Sequence, residues 1–95
     1  MAEKTSAVVA MMAGTNPVAL YVQALRFKLG NGIWYKPDAV IIFPDRAIHA
    51  YEVKGPHAFR GGFENLKVAA HLYQQIVWTL AWKDDGEWKT QLVLP

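Results

Sequence analysis

Two almost wholly apolar runs, Asp38 to Phe43 and Ala47 to Val53, stand on either side of Pro44-Asp45-Arg46. Pro presets φ and Asp hydrogen-bonds its own backbone, so the join reads as a tight turn and the runs as antiparallel strands. Apart from Asp38 at the start, only His49 and Glu52 interrupt them. Strands with so few polar positions are covered on both faces, which calls for a sheet with layers packed against it. A turn centred on Asp45 also sets the register. Residues whose numbers sum to ninety face one another, so Ile42 pairs with Ile48, Val40 with Ala50 and Asp38 with Glu52.

The flanking segments carry other periods. Thr5-Ser6 caps a predicted helix through about Ala13, which Gly14-Thr15-Asn16-Pro17 ends. From Gln23 the pattern has period two: Leu25, Phe27 and Leu29 alternate with Arg26 and Lys28 as a half-buried strand. Gly30-Asn31-Gly32 then turns the chain into Ile33 to Tyr35 as a hairpin. Beyond the loop Gly55 to Gly62, the spacing of Phe63, Leu66, Ala70 and Tyr73 predicts a helix from Phe63 to about Gln75. Its other face carries Glu64, Lys67, His71 and Gln74. Ile76 to Trp82, the turn Asp84-Asp85-Gly86 and Trp88 to Leu94 predict a closing hairpin. The order of elements predicts an α/β or α+β chain, a mixed β-sheet flanked by helices.

At 95 residues, without repeats or linker-like stretches, residues 1–95 read as a single domain. With no cysteine, the chain has no disulfide scaffold, thiolate zinc site or cysteine nucleophile. No run approaches the ~20 apolar residues that span a bilayer, so no membrane partner is expected. Ala7 to Ala13 is a poor signal peptide, with Glu3 in its would-be basic region, and a cytoplasmic location is expected. The net charge of +2 permits a polyanionic partner without requiring one. Twelve aromatic residues in so small a fold make a homodimer a candidate arrangement.

The chemistry concentrates at the far end of the central hairpin. The predicted register sets Asp38 beside Glu52, with opposed Cβ atoms about 5 Å apart, and Lys54, two residues on, points to the same face. Like charges so close in a poorly solvated place require neutralisation, by a raised carboxyl pKa, by the Lys54 ammonium or by a hard divalent cation. Only the cation makes use of all three side chains at once. The group therefore reads as a metal-assisted hydrolysis site, in which Asp38, Glu52 and the Val53 carbonyl hold Mg2+, with Mn2+ able to substitute. Lys54 would position or deprotonate the attacking water, or stabilise the transition state of phosphoryl transfer.

Lys36-Pro37-Asp38, followed after a hairpin turn by Glu52-Val53-Lys54-Gly55, resembles the PD-(D/E)XK nuclease superfamily. More narrowly, it resembles the small phage-encoded endonuclease-like members. Those place a strand, Tyr-x-Pro-Asp, Glu-Val-Lys-Gly and a helix with Lys-Val-Ala-Ala in this order, here Leu25 to Leu29, Tyr35 to Asp38, Glu52 to Gly55 and Lys67 to Ala70. The resemblance covers about Ala24 to Trp88. It implies a restriction-endonuclease-like αβββαβ core, a metal site on the central hairpin, DNA as substrate, and Lys67 as an auxiliary phosphate contact. Such an enzyme would serve DNA repair, recombination or restriction. The chain departs from the pattern twice: Glu3 is the only acid before Asp38, and Phe63 and Asn65 stand where relatives have a basic residue, a contact that Arg60 could supply.

The second reading of the same residues is a catalytically inactive nucleic-acid-binding or structural module on this fold; a third is an interaction domain whose tryptophans meet a protein partner. Asp45, also in a Pro-Asp pair, belongs to the turn rather than the site. His49 faces away from Glu52 as a core imidazole, and Trp78, Trp82 and Trp88 are expected in the core or an interface. Lys28, Lys36 and Lys54 form a modest basic approach.

Overall fold

The computed structural model describes residues 17–54 and 62–95. Its elements are β1 (Ala19–Val22), β2 (Phe27–Gly30), β3 (Ile33–Tyr35), β4 (Ala39–Ile42), β5 (Ile48–Lys54), α1 (Gly62–Leu72), β6 (Val77–Asp84) and β7 (Glu87–Val93). Five strands form one mixed sheet in the order β1-β4-β5-β6-β7, and β2 and β3 form a separate two-stranded sheet. Only β5 and β6 run parallel, with α1 as the crossover that parallel pairing requires. The chain is thus α/β, with a mixed sheet and one helix among the described residues. None of those residues forms a helix long and apolar enough to cross a membrane. The helix expected over Thr5 to Ala13 and the loop carrying His57 and Arg60 lie outside the described residues.

The central turn forms as its composition dictates. The Arg46 amide donates to the Phe43 carbonyl (2.8 Å), the Phe43 amide to the Ala47 carbonyl (2.9 Å), and Asp45 Oδ1 accepts the Ala47 amide (2.9 Å). Asp45 is therefore a turn residue. Arg46 closes the loop with φ 72°, in the left-handed region that a Cβ disfavours. Arg46→Gly should accordingly raise stability by about 0.5–1 kcal/mol, visible as a higher urea midpoint with an unchanged m-value. At the other hairpin, Asp85 (φ 54°) and Gly86 (φ 82°) both take positive φ between the paired Asp84 and Glu87, the requirement of a type I′ turn.

Packing on the α1 side of the sheet makes the main core. Val40, Ala50, Trp78 and Leu80 meet Leu66, Ala69 and Ala70 of the helix there. The β2–β3 hairpin closes over this core with Leu25, Phe27 and Leu29 inward, as their alternation predicted. Phe27 packs edge-on against Tyr73 (5.2 Å) and Trp78 (5.3 Å), while the Tyr73 hydroxyl donates to the Lys28 carbonyl (2.7 Å). The opposite face buries Ala39, Ile41 and Tyr51, with Phe43 against them. His49 lies on that face, edge-on to Phe43 at 4.9 Å, so it is a packed, half-buried ring.

Three expectations need correction. The strand predicted over Leu25 to Leu29 is Phe27–Gly30, and it lies outside the main sheet. The neighbour of β4 is instead β1, a strand that the period-two pattern did not announce, because its Leu20, Tyr21 and Val22 are exposed and show no buried face. Its backbone ladder with β4 orders this segment. Third, α1 ends at Leu72, three residues short of the expected Gln75. The Tyr73 amide still bonds the Ala69 carbonyl (2.8 Å), but the Tyr73 carbonyl accepts from the Trp78 indole (3.0 Å) and the Ile76 amide (3.1 Å). A tight turn then feeds β6 in place of another helical turn.

Candidate active site

The β4–β5 register is the predicted one, with Ala39 opposite Tyr51, Val40 opposite Ala50, Ile41 opposite His49 and Ile42 opposite Ile48. Asp38 stands one residue before the first of these pairs, where the same rule sets it across from Glu52. Along β5, Ile48 and Ala50 face the α1-side core, so alternation sends Glu52 and Lys54 to that face too.

Asp38 is 4% exposed and Lys54 5%, although charged side chains are rarely buried this far. A solvated strand end is excluded for both. The Asp38 carboxylate substitutes for the ladder that β4 no longer supplies: its Oδ2 accepts the Val53 amide at 2.7 Å, and its Oδ1 accepts the Gln23 side-chain amide at 3.2 Å. Gln23 also donates its backbone amide to the Asp38 carbonyl (2.9 Å), held there with φ 50° just past β1. The N–H and C=O of a strand residue point to the same neighbour. The Val53 carbonyl, like its amide, is therefore turned toward the Asp38 side.

Glu52 is tied from above. The Tyr35 hydroxyl, reaching down from β3, donates to Glu52 Oε1 at 2.6 Å, while the Tyr35 ring is buried beside Trp78 (6.1 Å between centroids). Burial, then the charge of Glu52 and its hydrogen bond, then the charge of Asp38 push the Tyr35 phenol far above its ordinary range. Both carboxylates thus act on one phenol, which stays a neutral donor. Because the folded pKa is raised, folded protein holds this proton when the unfolded chain has lost it above pH ~10. The contribution of this group should be present in full and independent of pH below pH ~10, and stability should fall above it by up to ~1.4 kcal/mol per pH unit. Tyr51, raised by burial, acts in the same direction. Urea titrations at pH 9 to 11 should show a shallower alkaline loss in Tyr35→Phe, by about one proton, with a lower plateau from the lost bond to Glu52.

The sequence-predicted residues divide accordingly. Asp38, Glu52 and the Val53 backbone converge, and Lys54 is buried on the same strand. Lys67 is exposed on α1, its ammonium 5.5 Å from the Phe63 ring centroid. Lys28 and Lys36 are exposed, so Lys54 belongs to the interior rather than to a basic approach with them. Two participants were not anticipated. Tyr35 stood in the quoted Tyr-x-Pro-Asp block, and its inward place on β3 could have indicated it. Gln23 carried no signal, because only the β1–β4 pairing brings it to Asp38.

No group of three or more His, Asp or Glu residues poised around one point occurs among the described residues. Two carboxylates and a carbonyl nevertheless fit Mg2+, which retains several waters and is commonly bound through one or two carboxylates plus substrate phosphates. No protein-family model matches the chain, nor does any curated protein or solved structure at a significant level of similarity.

Proposed function

We propose that the chain is a divalent-metal-dependent endonuclease that hydrolyses DNA phosphodiester bonds on a restriction-endonuclease-like core. The observation that carries this reading is that buried Asp38 accepts the amide of Val53, the residue next to Glu52, while Tyr35 holds Glu52 and Lys54 is buried two residues further along the same strand. The order of the main sheet supports it: β1, β4 and β5 are antiparallel, α1 follows, and β6 returns parallel to β5. On this reading β1, β4, β5, α1 and β6 would be the βββαβ part of the core that the resemblance implies, with β2–β3 inserted after its first strand.

Asp38, Glu52 and the Val53 carbonyl would hold Mg2+ or Mn2+. When bound, the ion supplies positive charge for the phosphoryl oxygens and acidity for a water nucleophile. Tyr35 keeps the Glu52 carboxylate from rotating, and the Val53 amide and Gln23 fix that of Asp38. Lys54 sets a preorganised ammonium in a poorly solvated place, where it stabilises charge developing on the phosphate far more than it could in water. Lys67 is available on the helix surface for a flanking phosphate.

Supercoiled plasmid incubated with the protein should be nicked in the presence of Mg2+ or Mn2+ and stay intact with excess chelator. Salt-sensitive DNA binding without nicking in either metal would instead assign the inactive binding module.

A further inference from the structure

The outer face of the β2–β3 hairpin carries chemistry that the carboxylate site does not use. Trp34 is 50% exposed, although the same hairpin turns the half-buried Phe27 and the buried Tyr35 to its inner face. It stands across the ladder from Lys28, whose ammonium lies 6.0 Å from the indole centroid, and the Arg26 guanidinium lies 5.3 Å from it. Lys36, two residues beyond Trp34, is also exposed. Residues 23–37 thus hold three cations and no carboxylate, more positive charge than the +2 of the whole chain.

We propose that this face grips an unpaired stretch of a DNA strand, with Trp34 stacking on a base and Arg26, Lys28 and Lys36 meeting the flanking phosphates. Charge complementarity selects a polyanion, and the indole selects among polyanions. Aromatic side chains stack on any exposed base, whereas a blunt duplex keeps its base faces covered. The next residue along the strand is Tyr35, whose hydroxyl holds Glu52. The strand that turns Trp34 outward thus turns its next side chain inward onto Glu52, so one hairpin links the outer face to the carboxylate pair beneath it. This deepens the endonuclease reading, on which it rests for its consequence: the substrate is DNA with unpaired nucleotides, recognised by structure rather than base sequence.

The test is the anisotropy of a labelled oligothymidylate, and of a blunt duplex of equal length, titrated with the full chain in chelator. The single strand should bind more tightly than the duplex. Trp34→Ala should weaken single-strand binding roughly 5- to 100-fold with little effect on the duplex, and Trp34→Phe, which keeps a π face, should recover most of the loss. Arg26→Gln and Lys28→Gln should each make the log–log salt dependence shallower by about 0.7. Equal thermal unfolding of Trp34→Ala and the parent separates lost binding from lost folding; should that variant unfold early, Trp34→Phe and the two Gln variants decide the outcome. Unchanged single-strand affinity in Trp34→Ala, or no preference for the single strand in the parent, overturns the proposal. Because binding is read without metal, the two ideas fail separately. Trp34-dependent binding without nicking keeps the hairpin site and removes the hydrolase; nicking with Trp34-independent binding does the reverse.

Discussion

Glu52→Gln and Asp38→Asn should each lower Mg2+-dependent plasmid nicking on the order of 10³-fold while leaving the protein folded. A bound ion contributes several kcal/mol to the transition state of phosphoryl transfer, and each ~1.4 kcal/mol is tenfold in rate. The amides are chosen because each retains a carbonyl oxygen where the structure needs an acceptor. Gln at 52 can still accept from the Tyr35 hydroxyl, and Asn at 38 can still accept the Val53 amide, with the Gln23 side chain free to rotate its own amide to match. Alanine at 38 would confuse the two roles, since it would strip the Val53 amide of its partner at a cost of ~1–3 kcal/mol. Both variants should unfold within about 1 kcal/mol of the parent by urea titration and bind DNA as the parent does in chelator. Full nicking activity in both would mean that the carboxylate pair has no part in hydrolysis.

Lys54→Met should be the other severe change, and it should act on rate and stability together. The methionine keeps the length of the buried stem but removes the charge, so two carboxylates remain close together with less to offset them. Losing one partner of a buried charge cluster costs ~3–5 kcal/mol, whereas removing both members is often neutral. Lys54→Met should therefore lose about 3 kcal/mol, and Glu52→Gln/Lys54→Met should recover part of it, with a coupling of ~0.5–3 kcal/mol in the double-mutant cycle. Nicking should fall roughly 10²- to 10³-fold in the single variant, the usual cost of removing one preorganised group that meets developing charge. Lys54→Arg should restore stability better than rate, because a planar guanidinium does not place its charge where an ammonium does. Additive stability effects in the cycle would show that Lys54 balances something other than Glu52.

The central hairpin was legible because its determinants are local. Pro44 and Asp45 close a turn with their own ring and side chain, and period-two alternation then carries the register out to Asp38 and Glu52 with no help from the rest of the molecule. The α1 stripe and the Asp85-Gly86 turn were legible for the same reason, since side chains three, four or two positions apart report on backbone geometry directly. β1 was not: its side chains are largely exposed, and its order comes from hydrogen bonds to β4, which leave no mark on residue types. The end of α1 was missed because the competing bond to Tyr73 comes from an indole five residues on.

The sequence alone determined an α/β chain, the pairing of β4 with β5, and the presence of two acids and a lysine at the open end of that pair. Tertiary structure alone decided what surrounds them. It removed the β2–β3 hairpin from the main sheet and folded it over the core, so that Tyr35 reaches Glu52; it brought β1 alongside β4, so that Gln23 reaches Asp38; and it buried Lys54. Local propensity acts over a few bonds of chain, but the field at a carboxylate is set by whatever lies within a few ångströms, and here those neighbours arrive from 15 and 17 residues away.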